Sequence, residues 1–181
     1  MVKRRKAWEK SNKRRNKIKR RIPREGYTAY RNDRRTLGRG VFILVHNDII
    51  TVEQTELVTN CEIEWVKIQL KGKKELLIGS FYMPQRNMKC VEELEKSLNM
   101  TIARNTNIML TGDFNCPDIN WETSTVNSNA NDKEIQNKIM KLTATFQLTQ
   151  IHELPTRENN LLDLVFTTNP SKNAPCRHIR S

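Results

Sequence analysis

From Gly26 onward, apolar and polar positions alternate in blocks that read as successive elements. Tyr27–Tyr30 is short and β-prone, and Asn32-Asp33 and Gly38-Arg39-Gly40 are turn signals. Val41–His46 (VFILVH) is a continuous apolar run, which predicts a buried strand. Ile63–Leu70 and Glu75–Tyr82 predict two further strands, with Lys71-Gly72-Lys73 between them as a hairpin turn. Val91–Arg104 changes period. Leu94, Leu98 and Ile102 recur every four residues, and Glu92, Glu93 and Glu95 stand early, where the helix dipole favours acids. Asn107–Leu110 predicts a strand that runs into Thr111-Gly112-Asp113-Phe114-Asn115-Cys116-Pro117. Asp132–Leu148 predicts a second amphipathic helix with Ile135, Ile139, Leu142 and Phe146 on one face. Leu161–Thr167 (LLDLVFT) predicts the last strand. Several strands, two helices and hairpin-length links make a layered α/β domain.

Candidate chemistry gathers at three of these strands. Gly112-Asp113-Phe114-Asn115 follows the apolar Ile108, Met109 and Leu110, and strand ends are where an α/β sheet presents ligand-binding groups. Asp113 and Asn115 are two apart, so they point the same way if the strand continues. A carboxylate beside an amide suits a hard metal ion, a water or a phosphate oxygen. Gly, Asp, Asn and Pro are also turn formers, and a plain turn accounts for the segment equally well. Asp163 interrupts the apolar LLDLVFT. A carboxylate there needs a partner if it is buried, or it faces solvent between inward Leu162 and Leu164. Tyr82 ends its strand and could reach a phosphate oxygen, or sit half-buried with its hydroxyl in water. His46, His152 and His178 have no metal-ligand spacing to one another. Trp65 and Trp121 read as core or rim residues.

Charge changes the picture at the N-terminus. The 181-residue chain carries a formal +12, and thirteen of its 32 Lys/Arg but only one of its 20 acids (Glu9) stand in residues 1–24. That segment holds the whole excess, and the remainder is neutral. A uniformly basic packing protein is excluded, and a basic arm before a neutral body is indicated. So dense a charge block disfavours a compact state of its own. Lys3, Arg4, Arg5, Arg14, Arg15, Arg20 and Arg21 are the arm's candidate contacts to DNA, or to RNA, and a nuclear localisation signal is the plainer reading of the same block. Organisation is therefore expected as an arm (1–25), a domain (26–171) and a tail (172–181). No run of about 18 apolar residues is present, so no membrane-spanning helix or membrane partner is expected. No apolar signal core follows the basic start, so a nuclear or cytoplasmic rather than secreted protein is expected. Cys61, Cys90, Cys116 and Cys176 form no CxxC pair, and all four are expected to be reduced, packed thiols.

The succession GYTAYRNDRRTLGRGVFILVHND, EWVKIQL, LLIGSFYMP, IMLTGDFNCPDINW and LPTRENNLLDLVFTTNPS resembles the endonuclease domain of non-LTR (LINE, jockey-like) retrotransposons. That domain belongs to the endonuclease/exonuclease/phosphatase superfamily, and the resemblance covers about residues 26–171. It implies a four-layer α/β sandwich (DNase I-like), two mixed sheets face to face with helices outside. It implies Mg²⁺ (or Mn²⁺)-dependent hydrolysis of a DNA phosphodiester at a target site, the nick priming reverse transcription in full-length members. On the matched positions, Asp113 would position or activate the attacking water and Asn115 would hold the phosphate or that water. Tyr82 would contact the phosphate region. Asp163 would orient the catalytic histidine or support the metal site, and Thr156 would contact the DNA backbone. No residue is assigned as a metal ligand from the sequence.

The chain departs from the family pattern in three places. Nothing before Gly26 matches the family's opening strand with its asparagine and metal-binding glutamate. Nothing after Pro170 matches its Ser-Asp-His, and His178 stands in a different context. Arg39 stands where a glycine is usual. An incomplete sandwich, cut at both ends, is the expectation, and with it an incomplete copy whose nuclease activity is either retained or a relic. Two other functions compete: a non-catalytic nucleic-acid binder working through the arm, and a phosphatase of the same superfamily.

Overall fold

A computed structural model describes residues 25–33, 40–72 and 74–170. The basic arm, the Gly38-Arg39 turn, the C-terminal tail and His178 lie outside the described residues. Among the described residues, ten strands form three sheets. β1 (Tyr27–Asp33) and β2 (Gly40–His46) are an antiparallel pair, and β7 (Ile119–Asn120) and β8 (Thr125–Val126) are a short second pair. The main sheet has six strands in the order β3 (Thr51–Glu53), β4 (Glu62–Ile68), β5 (Leu76–Tyr82), β6 (Asn107–Asp113), β10 (Asp163–Thr167) and β9 (Thr149–Gln150). β5 and β6 are parallel, and the other neighbours are antiparallel. α1 (Met88–Asn99) is the crossover between β5 and β6, and α2 (Lys133–Thr145) follows the loop after β6.

Strand alternation sorts the main sheet into two faces. One face carries Ile63 and Trp65 of β4, Leu77 and Phe81 of β5, Ile108 and Leu110 of β6, and Leu164 and Phe166 of β10. These pack with Val91, Leu94 and Leu98 of α1 and Ile139 and Leu142 of α2 in one core. Phe114 joins it with its ring 4.9 Å from Phe81 and 5.1 Å from Phe166. Trp65 is the largest side chain there and is fully buried. Its indole N–H donates to Ser97 Oγ (2.8 Å), and the Ser97 hydroxyl donates to the Leu57 carbonyl (2.6 Å). This relay fixes α1 to the sheet while satisfying each polar group that burial removes from water. The opposite face bears Glu62, Glu64, Val66 and Ile68 on β4, and β1 and β2 lie against it there. Asn32 of β1 donates to the Ile63 carbonyl (2.8 Å), and the hydroxyls of Tyr30 and Thr51 meet at 2.6 Å.

Three boundaries differ from the hydrophobic pattern, each for a local reason. VFILVH is not buried on both sides: Val41 and Val45 are buried, but Phe42 is 47 % exposed, because alternation turns it to the opposite face of β2. α1 starts at Met88 rather than Val91, since Asn87 caps it by accepting the Cys90 N–H (2.8 Å). It ends at Asn99, before a 3₁₀ turn (Ile102–Arg104), so Ile102 leaves the buried face and is 64 % exposed. The β4–β5 hairpin is formed as expected, but its strands stop at the Ile68–Leu76 pair and the connection is longer. No helix among the described residues is long and apolar enough to cross a membrane.

Ser97→Ala should lower stability by about 1–3 kcal/mol, since it leaves the Trp65 N–H and the Leu57 carbonyl buried without their partner. Urea denaturation followed by tryptophan fluorescence measures it, and an unchanged midpoint would remove the relay from the account of how α1 is held.

Candidate active site

The polar candidates meet at one end of the main sheet. Strand register pairs Glu62 with Tyr82, Tyr82 with Asp113, and Asp113 with Asp163. Four polar residues thus stand in one row across β4, β5, β6 and β10, on the face turned away from the helices. Side chains directly opposite on antiparallel strands are about 5 Å apart at Cβ, so the Asp113 and Asp163 carboxylates are immediate neighbours. Asp163 is exposed between buried Leu162 and Leu164, which is the outward arrangement that alternation allows. That outward side is also the side of Asp113. Tyr82 is half-buried beside it.

Gly112 makes the register possible. Its φ is +145°, and a Cβ there would lie 1.8 Å from the Phe81 carbonyl oxygen of the neighbouring strand. Only glycine lets β6 run this close to β5. β6 therefore extends to Asp113, three residues past the predicted Leu110. The strand then stops abruptly. Asn115 has φ +50°, the left-handed region, so Asp113 and Asn115 do not project together as an extended continuation would require. Asp113 Oδ1 instead accepts the Asn115 backbone N–H (2.9 Å). The segment is both strand end and turn. Asn115 remains next to the row through this bond, with its side chain half-buried.

The loops on either side are pinned. The Met83 N–H donates to the Asp113 carbonyl and the Phe114 N–H to the Leu162 carbonyl (2.9 and 3.0 Å). Arg86 lies 3.7 Å from Asp118 and 3.2 Å from Asp132, and the fully buried Gln136 of α2 donates to Asp118 Oδ2 (2.7 Å). Thr156 has a structural task in this setting. Its Oγ1 accepts the N–H groups of both Leu162 and Asp163 (3.1 Å each), setting the start of β10. A tight turn with Glu158 at φ +53° closes between Arg157 and Asn160.

Burial raises the Asp113 carboxyl above the ordinary aspartate range. The Asn115 N–H opposes that shift, the charge of Asp163 adds to it, and the charge of Arg157 opposes it. The site is thus an anion pair with a guanidinium within electrostatic reach. Glu62 and Arg157 were not apparent as site residues in the sequence. Glu62 carries no motif, although the alternating Glu62-Ile63-Glu64-Trp65 could have marked a strand end with an acid. Arg157 reaches the site only because the 156–160 turn folds back. His46 pairs with Asp48 (3.2 Å) on the β2–β3 turn, and His152 follows β9, so neither stands in the row.

Among the described residues no group of three or more His, Cys, Asp or Glu is placed to hold a metal ion. Asp113 and Asp163 nonetheless fit Mg²⁺ or Mn²⁺, because two hard-oxygen carboxylates suffice when waters and a phosphate supply the rest. Their mutual repulsion is what a cation between them would relieve.

The model of the endonuclease–reverse transcriptase family matches residues 76–181, from the first residue of β5 through β10. The endonuclease domain of TRAS1, a telomere-specific non-LTR retrotransposon, superposes with a TM-score of 0.58 at 18 % identity, over 79 % of this chain and 65 % of that one. An endonuclease/exonuclease/phosphatase family protein from Leptotrichia buccalis C-1013-b has a TM-score of 0.42 at 14 % identity, over 79 % of this chain and 60 % of that one. The chain spans just under two-thirds of the length of the TRAS1 domain. No curated protein matches it.

The raised Asp113 group ties stability to pH with a definite sign. Its folded-state pKa exceeds the unfolded value, so it favours the fold in acid and costs stability as pH rises through the raised value. Asp113→Asn keeps a carbonyl for the Asn115 N–H and removes that cost. The variant should be more stable than the parent at pH 7, with the gain vanishing below the ordinary aspartate pKa. Equal urea midpoints at pH 7 would contradict the electrostatic account of the site.

Proposed function

Because the chain belongs to the endonuclease–reverse transcriptase family and has the DNase I-like α/β fold, we propose that its acidic row hydrolyses DNA phosphodiesters as a Mg²⁺- or Mn²⁺-dependent endonuclease. The observation that carries this is the register of Tyr82, Asp113 and Asp163 at one sheet end, with Asn115 held to Asp113. Phosphodiester hydrolysis needs a water in line with the leaving oxygen, charge stabilisation at the phosphoryl group and fixed donors. Asp113 is suited to orient the water and take its proton, because burial makes its carboxylate more basic than an exposed one. Asn115 supplies an amide donor to a phosphate oxygen, and Tyr82 a phenol on the other side. Arg157 supplies positive charge beside the row. Asp113 and Asp163 would hold the divalent cation, which when bound contributes Lewis-acid stabilisation of the phosphoryl charge. Thr156 fixes the backbone of Asp163 through its Oγ1, and its hydroxyl hydrogen remains to be donated to the DNA backbone. The family resemblance names target-site nicking as the biological reaction.

The test is nicking of supercoiled plasmid with Mg²⁺ or Mn²⁺. Asp113→Ala and Asp163→Ala should each slow it by about a hundredfold or more. No nicking by the parent, or undiminished nicking by Asp113→Ala, refutes the reading.

One feature of the sequence favours a second activity alongside it. The +12 confined to residues 1–24 supports a sequence-independent grip on nucleic acid, DNA or RNA, by Lys3, Arg4, Arg5, Arg14, Arg15, Arg20 and Arg21. Binding measured by filter retention should fall steeply with salt, survive Asp113→Ala and collapse when residues 1–24 are removed. Affinity that is insensitive to salt or to that deletion overturns it.

A further inference from the structure

A cleft of about 220 Å³ opens between the start of β4, the turn after β5 and the start of α1, lined in part by Asn60, Cys61, Glu62, Pro84, Lys89 and Cys90. Cys61 and Cys90, 29 residues apart, both open into this cleft, and each packs behind against the core. Thr59 Oγ1 lies 3.4 Å from Cys61 Sγ. Cys90 sits in the first turn of α1, its N–H held by Asn87. We propose that Cys61 and Cys90 form a reversible dithiol–disulfide site that reacts with small disulfides such as glutathione disulfide.

A hydrogen bond with Cys90 holds the Cys61 thiol below its ordinary range against the opposing effect of burial, with Thr59 adding to it. Cys61 is therefore the attacking group. Its thiolate displaces one glutathione thiolate from the disulfide and forms a mixed disulfide. The Cys90 thiolate then attacks the Cys61 sulfur, forms the Cys61–Cys90 bond and releases the second glutathione. Two electrons pass from the protein thiols to the external disulfide, and the two protons end on the released glutathiones or in solvent. Cys116 is the internal contrast: it is buried, its thiol donates to the Phe114 carbonyl (3.1 Å), and burial pushes it up to about 12. The new bond would clamp the start of β4, where Glu62 begins the acidic row, to the start of α1. The site does not rest on the nuclease reading.

The full chain is incubated with glutathione disulfide under native conditions, alkylated and digested without reductant, and its peptides are mapped by mass spectrometry. A Cys61–Cys90 cross-linked peptide that dithiothreitol removes is expected, with Cys116 still unmodified. In Cys90→Ser, Cys61 should accumulate as the glutathione mixed disulfide, because the resolving thiol is gone. Recovery of Cys61 and Cys90 in the parent as free thiols, or as separate mixed disulfides, overturns the proposal. The parent map decides even if the variant does not fold.

Discussion

The close approach of β6 to β5 at Gly112 is the constraint on which the site depends. The Phe81 carbonyl occupies the space where a side chain would begin, so the two parallel strands stay paired to their last residues, Tyr82 and Asp113. β10 pairs with the other edge of β6, which brings Asp163 opposite Asp113. A β-branched or even an alanyl side chain at this position would push the strands apart and end the pairing before the acidic residue. The same alternation that puts Asp113 and Asp163 on the outer face puts Phe81, Leu110, Leu164 and Phe166 on the inner one, under α1 and α2. The core and the site are two faces of one register.

The site is electrostatically expensive by itself. Asp113 is partly removed from water and faces a second carboxylate, and both effects disfavour its charge. The protein offsets this locally with a backbone N–H from Asn115 and the charge of Arg157, without neutralising the pair. Residual repulsion of this kind is what the cation of the proposed reaction would relieve. The surrounding loops are held by unrelated means: the Arg86 bridges, the Gln136 contacts and the two amides accepted by Thr156. These contacts hold the loops without using the Asp113 and Asp163 carboxylates.

Much of this was legible in residues. Periodicity located both helices and four of the six strands of the main sheet, missing the short β3 and β9, and GDFN marked a strand end with ligand-type side chains. What misled was local backbone geometry. The two-residue spacing of Asp113 and Asn115 suggested a common direction, but the left-handed Asn115 turns the chain after Asp113. Ile102 keeps the helical period but lies beyond the end of α1, because a period cannot say where hydrogen bonding stops. VFILVH looks buried on both sides, yet apolarity does not say whether both faces of a strand are covered. The structural task of Thr156 was not legible because the two backbone donors it accepts are six and seven residues away in sequence.

By itself, the sequence determined what depends on adjacent residues: the α/β succession, the neutral body behind a basic arm, and the ligand-type side chains of Asp113, Asn115 and Asp163 at strand ends. Tertiary structure decided what depends on register. It placed Glu62 and Tyr82 in line with the two aspartates, brought Arg157 within electrostatic reach and set Cys61 beside Cys90 in one cleft. Residues this far apart meet only when strands pair and a helix crosses over. Pairing is fixed by a whole face of buried side chains and by one glycine, not by any motif read along the chain.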